Sequence, residues 1–221
     1  MKKIVLTCLF GFSMNLQAKS FYDWCTDTKA TDAQKHTIEV MLSGVSASDC
    51  QDGADKLQGK TALGFFAKNL TDLSPMEELS SLQYLFLDRN NVSDLTPLAG
   101  LTALKEINLT GNQVVQISAL KSLTNLNKLV LTSNQVSDIS SLNRLTKLNH
   151  LTLYDNQITS VDDLSGLKNL TQLNLGKNYI SQVSSLAGLS NLSSLFLEEN
   201  PLSKAEIDWL GEQLPDCSIF F

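Results

Sequence analysis

Leucine returns at a fixed interval of 22 residues along most of this chain. With Leu82 as position 1, later units begin at Leu104, Leu126, Leu148, Leu170 and Leu192, with no insertion or deletion. Two of them open LQYLFLDRNNV and LNKLVLTSNQV. Positions 4 and 6 are apolar and their neighbours vary, the alternation expected of a short strand with one face buried. Leu85 and Leu87, Ile107 and Leu109, and Leu129 and Leu131 are therefore expected to point into a core. Further on, positions 11, 14, 17 and 20 are apolar at three-residue spacing, as in Val136, Ile139, Leu142 and Leu145. That spacing suits 3₁₀ turns better than full α-helices. A unit this short cannot enclose a core alone, so successive units must stack on one another.

Position 9 is asparagine in unit after unit: Asn90, Asn112, Asn134, Asn156, Asn178 and Asn200. An amide carries both donors and acceptors, so a stacked column can satisfy backbone groups left unpaired where the chain leaves the strand. The pattern L-x-x-L-x-L-x-x-N-x-(I/V/L) is the signature of leucine-rich repeats. It implies an α/β leucine-rich repeat solenoid, right-handed, with a parallel sheet on the concave face and 3₁₀ turns on the convex face. At a strand spacing of about 4.8 Å, eight strands make a face roughly 35 Å long.

A stack exposes an apolar rung at each end, so caps are expected. One unit before Leu82 the frame falls on Lys60, with Leu63, Phe65 and Leu70 inward and Lys68 in place of the asparagine. Residues 19–59 are expected to form a helical N-terminal cap. Thr31 is a candidate N-cap for a helix stopped at Gly44, and Ser48 or Asp49 for a second helix ending at Gly59. About seven repeats fill residues 60–202, and residues 203–221 form a C-terminal cap. There Ser203-Lys-Ala-Glu206 is a capping box, and Ile207, Leu210 and Leu214 form an apolar stripe. Carrying the 22-residue frame forward puts Cys217 in an inward leucine position of an eighth strand, Cys217 to Phe221, as a buried free thiol.

The repeat unit resembles that of the internalins. The residues carrying the resemblance are Leu123-Thr-Asn-Leu126-Asn-Lys-Leu129-Val-Leu131-Thr-Ser-Asn134-Gln-Val136-Ser-Asp-Ile139, together with Asp94-Leu-Thr-Pro97-Leu98. The cysteine-bearing segment before the repeats and the ending Leu214-Pro-Asp-Cys-Ser-Ile-Phe are also similar to small exported bacterial leucine-rich repeat proteins. The resemblance implies a concave face that binds a protein partner. Internalins are held at the bacterial wall, whereas no sorting motif or wall-binding module is found here, so host-cell invasion is not implied.

Composition narrows the picture. The net charge of −6 argues against nucleic acid and anionic membranes as partners. Residues 1–18 read as a signal peptide, with Lys2 and Lys3 before a short apolar run, too short for a membrane span once cleavage is allowed for. Export, to the periplasm or beyond the cell, implies an oxidising compartment. Cys25 and Cys50 flank one helical segment and are the expected disulfide, closing a loop worth roughly 3 kcal/mol in the chain-entropy model. A monomer with no membrane insertion after cleavage is the expectation.

The outward strand positions are free to vary, and their residues nominate a binding face. Tyr84 and Phe86, with Phe66, form an aromatic group near the N-terminal end; Val130, His150 and Tyr154 lie mid-face; Phe196 stands near Glu198 and Glu199. Exposed aromatics on a rigid sheet are typical binding hot spots. Glu106 and Lys128 are neighbours in the stack and read as a surface ion pair first, a contact second. Catalytic signals are missing: two histidines, no zinc spacing, no phosphate loop, no nucleophile elbow and no calcium loop. No cofactor is implied. The leading expectation is an exported, non-catalytic protein-binding module. A structural or spacer role at the surface is the alternative, and a toxin or enzyme a remote one.

Overall fold

The computed structural model describes residues 19–221, and the expected signal segment lies outside the described residues. Three helices open the chain: α1 (Phe21–Thr26), α2 (Asp32–Gly44) and α3 (Cys50–Leu57). Eight three-residue strands follow. They are β1 (Ala62–Gly64), β2 (Tyr84–Phe86), β3 (Glu106–Asn108), β4 (Lys128–Val130), β5 (His150–Thr152), β6 (Gln172–Asn174), β7 (Ser194–Phe196) and β8 (Ser218–Phe220). They form one parallel sheet in strict sequence order. Each gap from β1 to β7 is spanned by a 3₁₀ turn, such as Thr96–Leu98 or Ser140–Arg144. Helix α4 (Lys204–Gln213) takes that place before β8.

The core is a column of leucines. Leu85, Ile107, Leu129, Leu151, Leu173 and Leu195 face one another across the sheet and are almost fully buried. Positions 11, 14, 17 and 20 close the column from the other side, as Val136, Ile139, Leu142 and Leu145 do. Asp72, Asp94 and Asp138 each accept a hydrogen bond from the backbone N–H two residues on, at 2.8, 2.8 and 2.9 Å, and so start the adjacent 3₁₀ turn.

Asparagine at position 9 stitches three successive layers. Asn156 accepts from the Val136 N–H at 3.0 Å and donates to the Leu131 and Leu153 carbonyls at 2.9 and 3.0 Å. Asn112, Asn134, Asn178 and Asn200 repeat this arrangement. Asn90 differs at the N-terminal end, because its carbonyl accepts from two backbone groups, Lys68 and Leu70, both at 3.0 Å. The chain's sharp bend comes one residue earlier than the asparagine. Ala67, Arg89, Gly111, Ser133, Asp155, Lys177 and Glu199, all at position 8, adopt left-handed conformations with φ from 51° to 66°.

The N-terminal cap holds one more helix than the two the capping signals marked. Ser20 and Asp23 form a capping box that starts α1. Thr31 caps α2 in the same way with Gln34, and Asp49 caps α3. The Cys25–Cys50 disulfide joins α1 to α3, with the Cα atoms 5.7 Å apart. Gly53 on α3 is pressed against both other helices: a Cβ there would collide with Leu42 Cδ2 and lie 3.0 Å from Phe21 Cε1. Several hydrogen bonds fix the cap to the repeats, among them that between His36 Nε2 and the Lys68 carbonyl at 2.6 Å. The Trp24 indole donates to Glu77 at 3.1 Å, and the buried Thr37 hydroxyl donates to the Asp72 carbonyl at 2.6 Å.

At the other end the frame slips. Leu195 of β7 pairs with Ile219, not with Cys217. The α4 connection uses two residues more than a 3₁₀ turn, so position 4 of the last unit is Ile219. Cys217 is therefore not in a leucine slot. It sits just before β8 and is only half-buried, and the strand is Ser218–Phe220 rather than Cys217–Phe221. Leu214 remains buried as part of the α4 stripe with Ile207 and Leu210.

Candidate functional site: the concave face

Positions 3, 5, 7 and 8 project from the strands onto the concave surface. The register places them in columns: Tyr84, Glu106, Lys128, His150, Gln172 and Ser194 in one, Phe86, Asn108, Val130, Thr152, Asn174 and Phe196 in the next. Most are half-buried by their neighbours in the column, so the side chains are held before any partner arrives. Tyr84 is the more open of the N-terminal pair at 37% exposure.

Each of the N-terminal aromatics has its own surroundings. Phe86 lies against Gly64, whose Cβ would be 3.8 Å from the Phe86 Cβ. Phe66 does not pack under the cap: it is 57% exposed, and the Arg89 guanidinium lies 5.5 Å from its ring centre. A cation over a ring face gains about 0.5–1 kcal/mol at an exposed site. Arg89 was not among the expected site residues. Its signal is positional, since Phe66 and Arg89 occupy positions 7 and 8 of adjacent units.

The mid-face residues do not form one cluster. His150 and Tyr154 are four residues apart, roughly 13 Å along an extended chain, with Thr152 between them. His150 contacts its own neighbour, Asn149, through Nδ1 at 2.8 Å. Val130 lies between Asn108 and Thr152 in the central column. Tyr154 belongs instead with the C-terminal part of the face. Its ring covers Gly176, where a Cβ would lie 3.0 Å from Tyr154 Cδ2 and 3.2 Å from Glu198 Oε2. Phe196 is stacked on Phe220 of β8, with ring centres 4.6 Å apart and planes 9° from parallel.

Charges along the face are mostly matched. Glu106 and Lys128 pair at 2.7 Å, and Asp155 and Lys177 at 2.8 Å. The Asp155 carboxylate also accepts from the Ser133 hydroxyl at 2.9 Å. The Lys177 ammonium and then the Ser133 hydroxyl hold the Asp155 carboxyl below the usual carboxylate range, and Asp155 holds Lys177 above its own. Ser133, Asp155 and Lys177 are all at position 8, so this network follows the repeat period, though pattern reading did not anticipate it.

Comparison with known proteins agrees with this architecture. A model for leucine-rich repeats in two copies matches residues 80–122, 102–144, 124–166 and 146–188. Internalin C2 of Listeria monocytogenes is 32% identical, with a TM-score of 0.75 over 82% of this chain and 80% of that one. The chain belongs to the leucine-rich repeat family and carries internalin-like repeats. An internalin F of Listeria monocytogenes is 31% identical, with a TM-score of 0.63 over 75% of this chain and 55% of that one. A leucine-rich repeat protein of Leptospira interrogans is 27% identical, with a TM-score of 0.62 over 76% and 50% of the two chains. No curated protein matches by sequence. Leucine-rich repeat folds typically serve as protein-binding modules, and the internalin-like repeats here present the parallel sheet such modules use.

Proposed function

We propose that this chain is an exported, non-catalytic module that recognises a protein partner through its concave face. The observation that carries the reading is the placement of Tyr84, Phe86 and Tyr154. They stand half-exposed on strands whose backbone is held by the asparagine column, so docking immobilises little that is not already fixed. Glu106, Lys128, Val130, His150 and Phe196 complete the contact surface. Large rings on a rigid platform bring contact area at low entropic cost, which is why aromatics dominate hot spots. Export is supported by the disulfide between Cys25 and Cys50, a bond suited to oxidising compartments.

The test begins with the mature protein as bait, followed by identification of what it retains and titration against variants. Truncating a hot-spot aromatic typically costs 2 kcal/mol or more, roughly thirtyfold in affinity. Phe86→Ala and Tyr154→Ala are expected to weaken binding at least about tenfold with the fold intact. Lys121→Ala, on the exposed Ser118–Ser122 turn of the convex side, should bind as wild type. Loss of binding in cap or convex variants, with both aromatic variants unaffected, would overturn the reading in favour of a structural role.

A further inference from the structure

Most charged groups on the concave face have a partner of their own. Glu106 has Lys128, Asp155 has Lys177, Asp88 accepts from the Asn108 amide, and Arg89 rests on Phe66. Among the described residues Glu198 and Glu199 form no ion pair, and of these two only Glu198 is half-buried, Glu199 being exposed. Any partner lying on Glu198 therefore removes water that nothing in this chain replaces. Its surroundings are flat and aromatic. Across the bare backbone of Gly176, Glu198 Oε2 faces the edge of the Tyr154 ring, since one modest Cβ would touch both. Two residues back on the same strand face stands Phe196, stacked on Phe220.

We propose that Glu198, bracketed by Tyr154 and the Phe196–Phe220 stack, is the docking point for an arginine side chain of the protein partner. This rests on the concave-face reading and gives that partner a chemistry. A half-buried carboxylate that loses water on docking requires a cation in return. Aromatic rings on either side favour a planar guanidinium, which packs flat against them and still donates two parallel hydrogen bonds to a carboxylate. A lysine ammonium supplies the charge but not the plane. The net charge of −6 draws a basic surface toward the chain as a whole, and Glu198 decides where its cation lands. Gly176 is the positioning residue, because only a missing side chain lets Tyr154 and Glu198 approach the same point.

The test uses the ¹⁵N-labelled mature protein and two peptides, acetyl-Gly-Phe-Arg-Phe-Gly-amide and its citrulline counterpart, which keeps the shape and loses the charge. The arginine peptide should shift the Gly176 and Glu198 amides saturably, and citrulline should weaken that binding about tenfold. Glu198→Gln should reduce the arginine peptide to the citrulline level with the spectrum otherwise unchanged. Gly176→Ala, which displaces the Tyr154 ring, should weaken it as well. Equal binding of the two peptides, or shifts confined to exposed acids such as Glu212 and Asp216, would overturn the proposal. Titration of the identified partner then separates the two readings. Binding lost in Phe86→Ala and retained in Glu198→Gln overturns the arginine site alone; binding retained in both overturns the concave face too.

Discussion

Replacing Asn156 of the position 9 column by alanine removes four hydrogen bonds, but the cost is not four times that of one. In Asn156→Ala the Leu131 carbonyl keeps a donor, because Asn134 also reaches it at 3.1 Å. The Leu153 carbonyl keeps Asn178 at 2.9 Å. Only the Val136 N–H is orphaned, on a residue that is fully buried. An unpaired buried backbone donor costs about 1–3 kcal/mol, and that is the expected loss. Asn90→Ala is a different case. It orphans the Leu70 and Lys68 N–H groups together and strips the Phe65 carbonyl, bonded at 2.7 Å, of its side-chain donor. The Leu87 carbonyl retains Asn112, and the Asp88 carbonyl retains the Ala67 N–H at 3.0 Å. Asn90→Ala should therefore cost roughly twice as much as Asn156→Ala, about 2–5 kcal/mol, with Lys68 contributing less because it borders solvent. Urea denaturation gives the ranking from the midpoints, provided the slopes agree. Amide exchange supplies the mechanism: Val136 should lose protection in Asn156→Ala, and Leu70 in Asn90→Ala. Equal midpoints for the two variants would refute the sharing of carbonyls on which the ranking rests.

In the same central rung, Leu131→Ala should cost about 2–5 kcal/mol through lost burial and a cavity, while Thr132→Ala on the exposed side should be near neutral by thermal melting. Cys217 should react with a maleimide in the folded protein, but slowly, because burial pushes its thiol above its ordinary range; complete protection until denaturation would restore the frame that places it in the core. Hydrogen bonds from Lys19 to Asp27, Lys56 to Asp52 and Lys177 to Asp155 hold those carboxyls below their ordinary range. Carboxyls lowered on folding stabilise above the unfolded value of about 3.9 and lose that contribution as pH falls through the folded values. The melting temperature should thus be level near neutral pH and decline below about pH 4, with Asp155→Asn flattening part of the decline; a decline that begins near pH 6 would refute the carboxylate account.

Much of this was legible in the chain because the repeat is a one-dimensional code. Leucine spacing at positions 4 and 6 fixes which strand face is buried, and the three-residue spacing beyond Asn134 fixes the turn type, so β2 to β7 fall where the frame puts them. Legibility stops where the period stops. The α4 connection adds two residues that no residue type announces, and that slip moves Cys217 out of the core and brings Ile219 opposite Leu195. The site residues divide in the same way. Outward positions such as Phe86 and Tyr154 follow from the frame. Their contacts do not, because whether Tyr154 lies over Gly176 or Phe196 stacks on Phe220 depends on rotamers and on the neighbouring units.

The left-handed residues at position 8 show how the fold and the face are coupled. A non-glycine residue held at positive φ costs of order 1 kcal/mol, and glycine would remove that cost. Yet of the seven such positions only Gly111 is glycine, while Arg89, Ser133, Asp155, Lys177 and Glu199 keep polar or charged side chains. The bend itself cannot be the reason, since glycine makes it more easily. What the side chains add lies at the rim of the concave sheet. Arg89 covers Phe66, and Ser133, Asp155 and Lys177 link three successive units. The asparagine column one residue later supplies the hydrogen bonds that hold each bend in place against its strain. Structural residues at position 9 thus allow position 8 to carry chemistry, and a recognition surface can change at position 8 without disturbing the leucines beneath it.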